Sequence, residues 1–182
     1  LVQLPPAAQL IALASLALVA AYPFMKRITW WPQAWLGLVF SWGALVGWPS
    51  ATEHLALAPV LLWAGTIFWV IGYDTLYAIQ DKEDDALVGV RSSARRLGRH
   101  APLGVALCYA LALAGWAAAL WTVRPELLAL LALLPAALHL AGQALRASPD
   151  DGELALRLFR SNRFTGLLLL LGFAAVGLSS AP

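Results

Sequence analysis

The chain has 182 residues, 61% of them hydrophobic and only 12% charged, with a formal net charge of +2 and a mean hydropathy of +0.74. That is a membrane-protein composition, well above the apolar share of soluble globular domains. A single cysteine, Cys108, excludes a disulfide framework and a thiol metal site.

Six apolar runs are long enough to span a bilayer, so the expected fold is all-α: a single-domain polytopic membrane helix bundle over residues 1–182. The first run, Ala7–Phe24, follows Leu1-Val2-Gln3-Leu4-Pro5-Pro6, which lacks the basic start of a secretory signal. The chain does not begin with Met, which suggests a fragment or a processed product. At the end of this run Tyr22 and Lys26 stand four apart on one helix face, followed by Arg27. A phenol and an ammonium so placed can both donate to phosphate. Read locally, they suit an aromatic and basic membrane anchor better.

The second run, Gln33–Trp48, is short and carries Gly37, Gly43 and Gly47, which suit close helix packing. The third, Leu57–Ile79, ends in Tyr73-Asp74-Thr75-Leu76-Tyr77-Ala78-Ile79-Gln80-Asp81-Lys82-Glu83-Asp84-Asp85. Asp74 and Asp81 are two helical turns apart and share a face, with Tyr77 and Ala78 between them and Asp85 one turn beyond. Glu83 and Asp84 point away and suit a solvated helix end. Asp74 lies inside the apolar run, where a carboxylate is costly unless it is used. Carboxylates stacked on one face can hold a hard divalent cation and, with it, a diphosphate.

Arg91, Arg95, Arg96 and Arg99 follow at helical spacing and suit a lid or a lipid-binding surface. Arg91, in the tight segment Gly89–Ser93, is closest to the carboxylates. The fourth run is Ala101–Val123. The fifth, Glu126–Leu145, contains His139, read as a packed core residue. The sixth, Phe164–Ser180, follows Asn162-Arg163, read as a helix start and an interface anchor. Eleven of the twelve Lys and Arg residues fall in alternate loops, which the positive-inside rule makes cytoplasmic and which puts both termini outside. The carboxylates share that side with cations able to bind phosphate oxygens.

Two segments carry a family resemblance. The run Tyr73 to Asp85 resembles the second aspartate-rich motif of the 4-hydroxybenzoate polyprenyltransferases, within the UbiA-type intramembrane aromatic prenyltransferases. Tyr22-Pro23-Phe24-Met25-Lys26-Arg27 resembles their tyrosine-lysine segment, and Gly89–Ser93 and Asn162-Arg163 fit in order and spacing. The resemblance implies a nine-helix bundle in which magnesium bridges two aspartate-rich motifs to a polyprenyl diphosphate. The diphosphate leaves, and the ring of 4-hydroxybenzoate attacks the allylic cation ortho to its phenol, in ubiquinone biosynthesis. It implies Asp81 and Asp85 as magnesium ligands with Asp74 close by, and Asp74, Asp81 and Lys26 as the catalytic set. Tyr22, Lys26, Arg27, Tyr77 and Arg91 would bind substrate. The expected partners are these two substrates and the lipid bilayer, with no nucleic acid. The expected place is a bacterial inner membrane, with the aspartates on the cytoplasmic side.

Two further readings stand beside this one: a related enzyme with another aromatic or quinone-precursor acceptor, and a membrane transporter or channel. A transporter would carry charged residues deep in several spans, whereas here Asp74 and His139 are the only ionisable ones. The first aspartate-rich motif begins with Asn-Asp in the family and is absent here: the only Asn is Asn162, and no acidic residue precedes Glu53. Six spans against nine suggest that the first three helices are missing. The purified 182-residue chain is therefore expected to be inactive or nearly so, and prenyl transfer by it would contradict this.

Overall fold

A computed structural model describes residues 1–179; the side chain of Lys26 and residues 180–182 lie outside the description. Every regular element among the described residues is helical. Helix α1 (Pro6–Ile28) begins with a proline at its first position, where a missing N–H costs nothing. Helices α4 (Leu57–Gln80) and α7 (Ala101–Val123) follow the third and fourth apolar runs closely.

The second run does not form one helix. It is divided into α2 (Pro32–Phe40) and α3 (Gly43–Thr52). At the break Ala44 N–H donates to Ser41 O and Leu45 N–H to Trp42 O, both at 3.0 Å, a tightened turn. The Ser41 hydroxyl also bonds back to the Gly37 carbonyl, a contact that bends helices. Among the described residues, five helical segments, not six, are individually long and apolar enough to cross a membrane. The fifth run is likewise segmented into α8 (Leu127–Leu130), a 3₁₀ turn (Leu131–Leu133) and α9 (Leu134–Arg146), with a proline in the first turn of α9.

Helix α10 (Gly152–Leu178) starts well before Phe164. Asp151 caps it by accepting from Leu154 N–H at 2.9 Å. Arg157, Arg160 and Arg163 therefore sit on a helix rather than in a loop. Asn162 is not a helix-start residue but a buried one in mid-helix. Two short helices, α5 (Lys82–Leu87) and α6 (Ser93–Leu97), connect α4 to α7.

Helix α4 is the hub, packed against α7, α2, α3 and α10. Its contact with α7 is backbone to backbone. A Cβ added at Gly115 would lie 2.7 Å from the Gly65 Cα, and one at Gly65 would lie 2.9 Å from the Ala112 carbonyl. Small residues at such a seam let helices gain dispersion contacts that lipid cannot supply. Leu10, Leu16, Leu138 and Leu170 point outward, as lipid-facing positions do.

The basic segments gather at one end. Arg91 Nη1 donates to the Ile28 carbonyl at 2.8 Å, and Lys82 Nζ to the Pro149 carbonyl at 3.0 Å. Arg124 lies at the other end, bonded to Ser179 Oγ at 2.6 Å. This matches the alternation of charge along the chain.

Gly115→Ala should lower the thermal midpoint in detergent, through about 1–3 kcal/mol of overpacking. Gly47→Ala, where an added Cβ meets nothing within 4 Å, should leave the midpoint unchanged or slightly raised. Equal effects from the two would contradict the close α4–α7 seam.

Candidate functional site

The last two turns of α4 bring Asp74, Tyr77 and Asp81 onto one pocket, together with Asp85 of α5. Helix α4 ends at Asp81, but Asp85 N–H donates to the Asp81 carbonyl at 2.8 Å. The helical winding thus continues across the break and keeps Asp85 on the same side. All three aspartates are half-buried, whereas Glu83 and Asp84 are exposed, as the spacing requires. The facing wall is Tyr22 of α1, Pro32 and Gln33 at the start of α2, and the segment Val90-Arg91-Ser92.

That segment is strapped down. The Arg91 and Arg95 guanidinium carbons each lie 5.6 Å from the centre of the Trp30 ring, and Arg95 Nη1 reaches the Asp85 carbonyl at 3.1 Å and the Val90 carbonyl. Beneath it the Thr75 and Ser93 hydroxyls are 2.7 Å apart, and Ser93 N–H donates to Gln33 Oε1 at 3.4 Å. Arg91 is therefore held at the rim, with one nitrogen committed to Ile28 and its charge on the pocket.

Of the residues singled out in the sequence, Tyr22, Asp74, Tyr77, Asp81, Asp85 and Arg91 come together here. Arg27 does not: it is exposed on the last turn of α1, away from the pocket lining. The Lys26 side chain lies outside the described residues; its backbone is one turn beyond Tyr22.

Two polar pocket residues were missed. Gln33 read as the first residue of an apolar run. Ser92 read as part of a turn that displays Arg91, yet its Oγ is buried and has no hydrogen-bond partner among the described residues. An orphaned buried hydroxyl costs about 1–3 kcal/mol unless something fills its bonding capacity.

A second polar group lies deeper. Asn162 accepts from Trp69 Nε1 at 2.8 Å and donates to Gln143 Oε1 at 3.0 Å, which also accepts from Tyr109 OH at 2.7 Å. His139 Nδ1 meets Thr165 Oγ1 at 2.8 Å, so His139 is a half-buried, hydrogen-bonded residue and not the packed core residue expected. This network joins α4, α7, α9 and α10. Its signal was present in the sequence, since the one Asn of the chain lies within reach of an apolar span. Beside it the rings of Trp69, Tyr73 and Phe159 form a ladder of edge and tilted contacts that ends at Tyr77, on the pocket.

No group of three or more His, Cys, Asp or Glu side chains converges tightly enough to hold a metal ion alone, among the described residues. The donors still suit magnesium, which is held through one or two carboxylates plus substrate phosphates rather than in an all-protein cage. The pocket, at about 100 Å³, is smaller than the roughly 300–1,000 Å³ of small-molecule sites. Its size suits the head of a ligand rather than a whole one.

The sequence profile of the UbiA prenyltransferase family matches residues 1–168. The chain is 39% identical over 173 residues to a protein of Drosophila melanogaster named 4-hydroxybenzoate polyprenyltransferase, mitochondrial, covering 94% of this chain and 44% of that protein. It is 40% identical to the protein of that name from Arabidopsis thaliana, covering 94% and 42%, and 42% identical to that from Rattus norvegicus, covering 87% and 43%. The chain thus spans less than half the length of these curated relatives. No solved structure matches it.

Asn162→Leu should lower the thermal midpoint, because it strands the Trp69 indole N–H and removes one of the two donors to Gln143 Oε1. The expected cost is about 0.6–2 kcal/mol for an intramembrane bond. An unchanged midpoint would show that the network carries no stability.

Proposed function

This chain belongs to the UbiA prenyltransferase family, and we propose that it forms part of an integral membrane enzyme that moves a polyprenyl group from its diphosphate to the ring of 4-hydroxybenzoate. The acceptor carbon would be ortho to the phenol, on the route to ubiquinone. The observation that carries this reading is one pocket where three carboxylates, two phenols and a guanidinium meet at the polar end of an apolar bundle. The printed names of the relatives support the substrates.

Each residue has a role in the proposal. Asp74, Asp81 and Asp85, which line one pocket, would hold a magnesium ion beside the phosphate group. When bound, the metal supplies a Lewis acid that neutralises charge on the departing diphosphate. Arg91 and Tyr22 donate to phosphate oxygens, and by family resemblance Lys26 does so too. These contacts tighten as charge builds on the leaving group, so they stabilise the transition state more than the ground state. The allylic carbon–oxygen bond breaks, a ring carbon of the acceptor bonds to the allylic carbon, and the ring proton is lost. Tyr22 and Tyr77 present aromatic rings that stabilise a nearby cation, while the apolar bundle excludes the water that would quench it. The prenyl tail stays in the apolar phase.

The expected bacterial inner membrane is not reflected in the relatives, whose names place them in mitochondria. We place the pocket on the side of the basic segments, which is the cytoplasm or its mitochondrial counterpart, the matrix.

Asp81→Ala in the complete gene product should reduce prenyl transfer at least about a hundredfold while leaving membrane insertion intact. Glu83→Gln, on the exposed side, should change it little. Chelation of divalent cations should abolish transfer, and added magnesium should restore it. Retained activity in Asp81→Ala or after chelation would sink the metal assignment. Ser92→Ala should keep or raise the wild-type thermal midpoint, since it removes a buried hydroxyl with no partner among the described residues, yet should raise KM or lower kcat. Unchanged kinetics would remove Ser92 from the site.

A further inference from the structure

A second charged cleft lies outside the carboxylate pocket, between the last turns of α9 and the first turns of α10. It has a volume of about 270 Å³ and is lined by Arg146, Arg157, His139, Gly142, Leu138 and Ser161, among others. We propose that it binds the phosphate group of an anionic phospholipid of the surrounding bilayer.

The electrostatics favour an anion. Arg146 and Arg157 face the cleft from opposite helices. The acidic residues of the connecting loop are mostly engaged elsewhere: Asp150 pairs with Lys82 at 3.4 Å, and Asp151 caps α10. Glu153 reaches Arg157 at 3.7 Å, but both side chains are largely exposed, and such a pair is weak. The Ser161 hydroxyl is spent on the Leu158 carbonyl, and His139 Nδ1 on Thr165. The guanidiniums are thus the charged groups left to bind, beside His139 Nε2, and they suit phosphate oxygens in bidentate fashion.

Position selects the lipid over a soluble anion. Leu138, which lines the cleft, is 64% exposed, and Leu145 beside it is 87% exposed. Both present an apolar wall on which an acyl chain can lie. The arginines sit on the side to which basic residues segregate, and Arg146 ends the membrane-spanning segment Leu127–Arg146. Basic pockets between helices on that side recognise anionic headgroups. The cleft also has room: a Cβ placed on Gly142 would meet nothing within 4 Å.

The test uses the complete gene product in phosphatidylcholine nanodiscs carrying spin-labelled phosphatidylglycerol or spin-labelled phosphatidylcholine. The motionally restricted fraction gives the relative association of each. The wild type should prefer phosphatidylglycerol. Arg146→Gln with Arg157→Gln should lower that preference by about thirtyfold, at about fivefold for each arginine near the surface. Gly142→Leu, which fills the cleft and keeps both charges, should lower it as well. Arg160→Gln, outside the cleft lining, should keep it. Soluble glycerol phosphate should fail to displace the labelled lipid. Wild-type preference in both cleft variants would overturn the proposal. So would a loss in Arg160→Gln equal to that of the double variant, which would mean a diffuse basic belt. Displacement by glycerol phosphate would assign the cleft to a soluble phosphate instead.

Discussion

The close seam between α4 and α7 is the constraint on which the rest depends. Helix α4 is almost wholly apolar, yet it ends in carboxylates that a bilayer cannot accept. Its rotation must therefore be set so that Asp74 and Asp81 face other protein elements and not lipid. Hydrophobicity cannot set that rotation, because lipid is as apolar as leucine. The approach of Gly65 to Gly115, and of Gly72 to the Tyr109 ring, does so sterically. With that face fixed against α7, the opposite face of the last two turns meets α1 and the start of α2, and the pocket follows.

Two sets of polar contacts hold this arrangement at different depths. In the interior, Trp69, Tyr109, Gln143 and Asn162 satisfy one another across four helices. In a medium without water each of these bonds specifies a relative position, because the alternative is an unsatisfied group. At the mouth, Arg91 and Arg95 grip Trp30, and Lys82 grips the α9–α10 connection. Cations that look available for ligand in the sequence therefore serve partly as ties. Arg91 is tied in this way and still lines the pocket, which explains how a rim residue can be presented in a defined place.

What could be read from the sequence was what depends on local periodicity. The shared face of Asp74, Asp81 and Asp85 follows from helical spacing, and it survives the break at Asp81 because one backbone bond carries the winding across. The side of each basic segment follows from charge counting. What could not be read depends on contacts distant in the chain or on competing local bonds. The division at Ser41 comes from a side-chain bond to the preceding turn that hydropathy does not see. The early start of α10 was hidden because charged residues above the bilayer look like a loop although they continue a capped helix. Gln33 and Ser92 join the pocket only through the packing of α2 and the strap against α4. Arg27 shows the reverse: a plausible neighbour in sequence that the helix turns away from the site.

The central claim is that the carboxylates of α4 and α5 engage a diphosphate through a divalent cation. Electron paramagnetic resonance of Mn²⁺, titrated into the complete gene product with and without a non-hydrolysable farnesyl thiodiphosphate, addresses it directly. The expected result is a protein-bound Mn²⁺ spectrum that tightens when the analogue is added and is lost with Asp74→Asn and Asp81→Asn together. A spectrum that ignores the analogue, or that persists unchanged in the double variant, would contradict it.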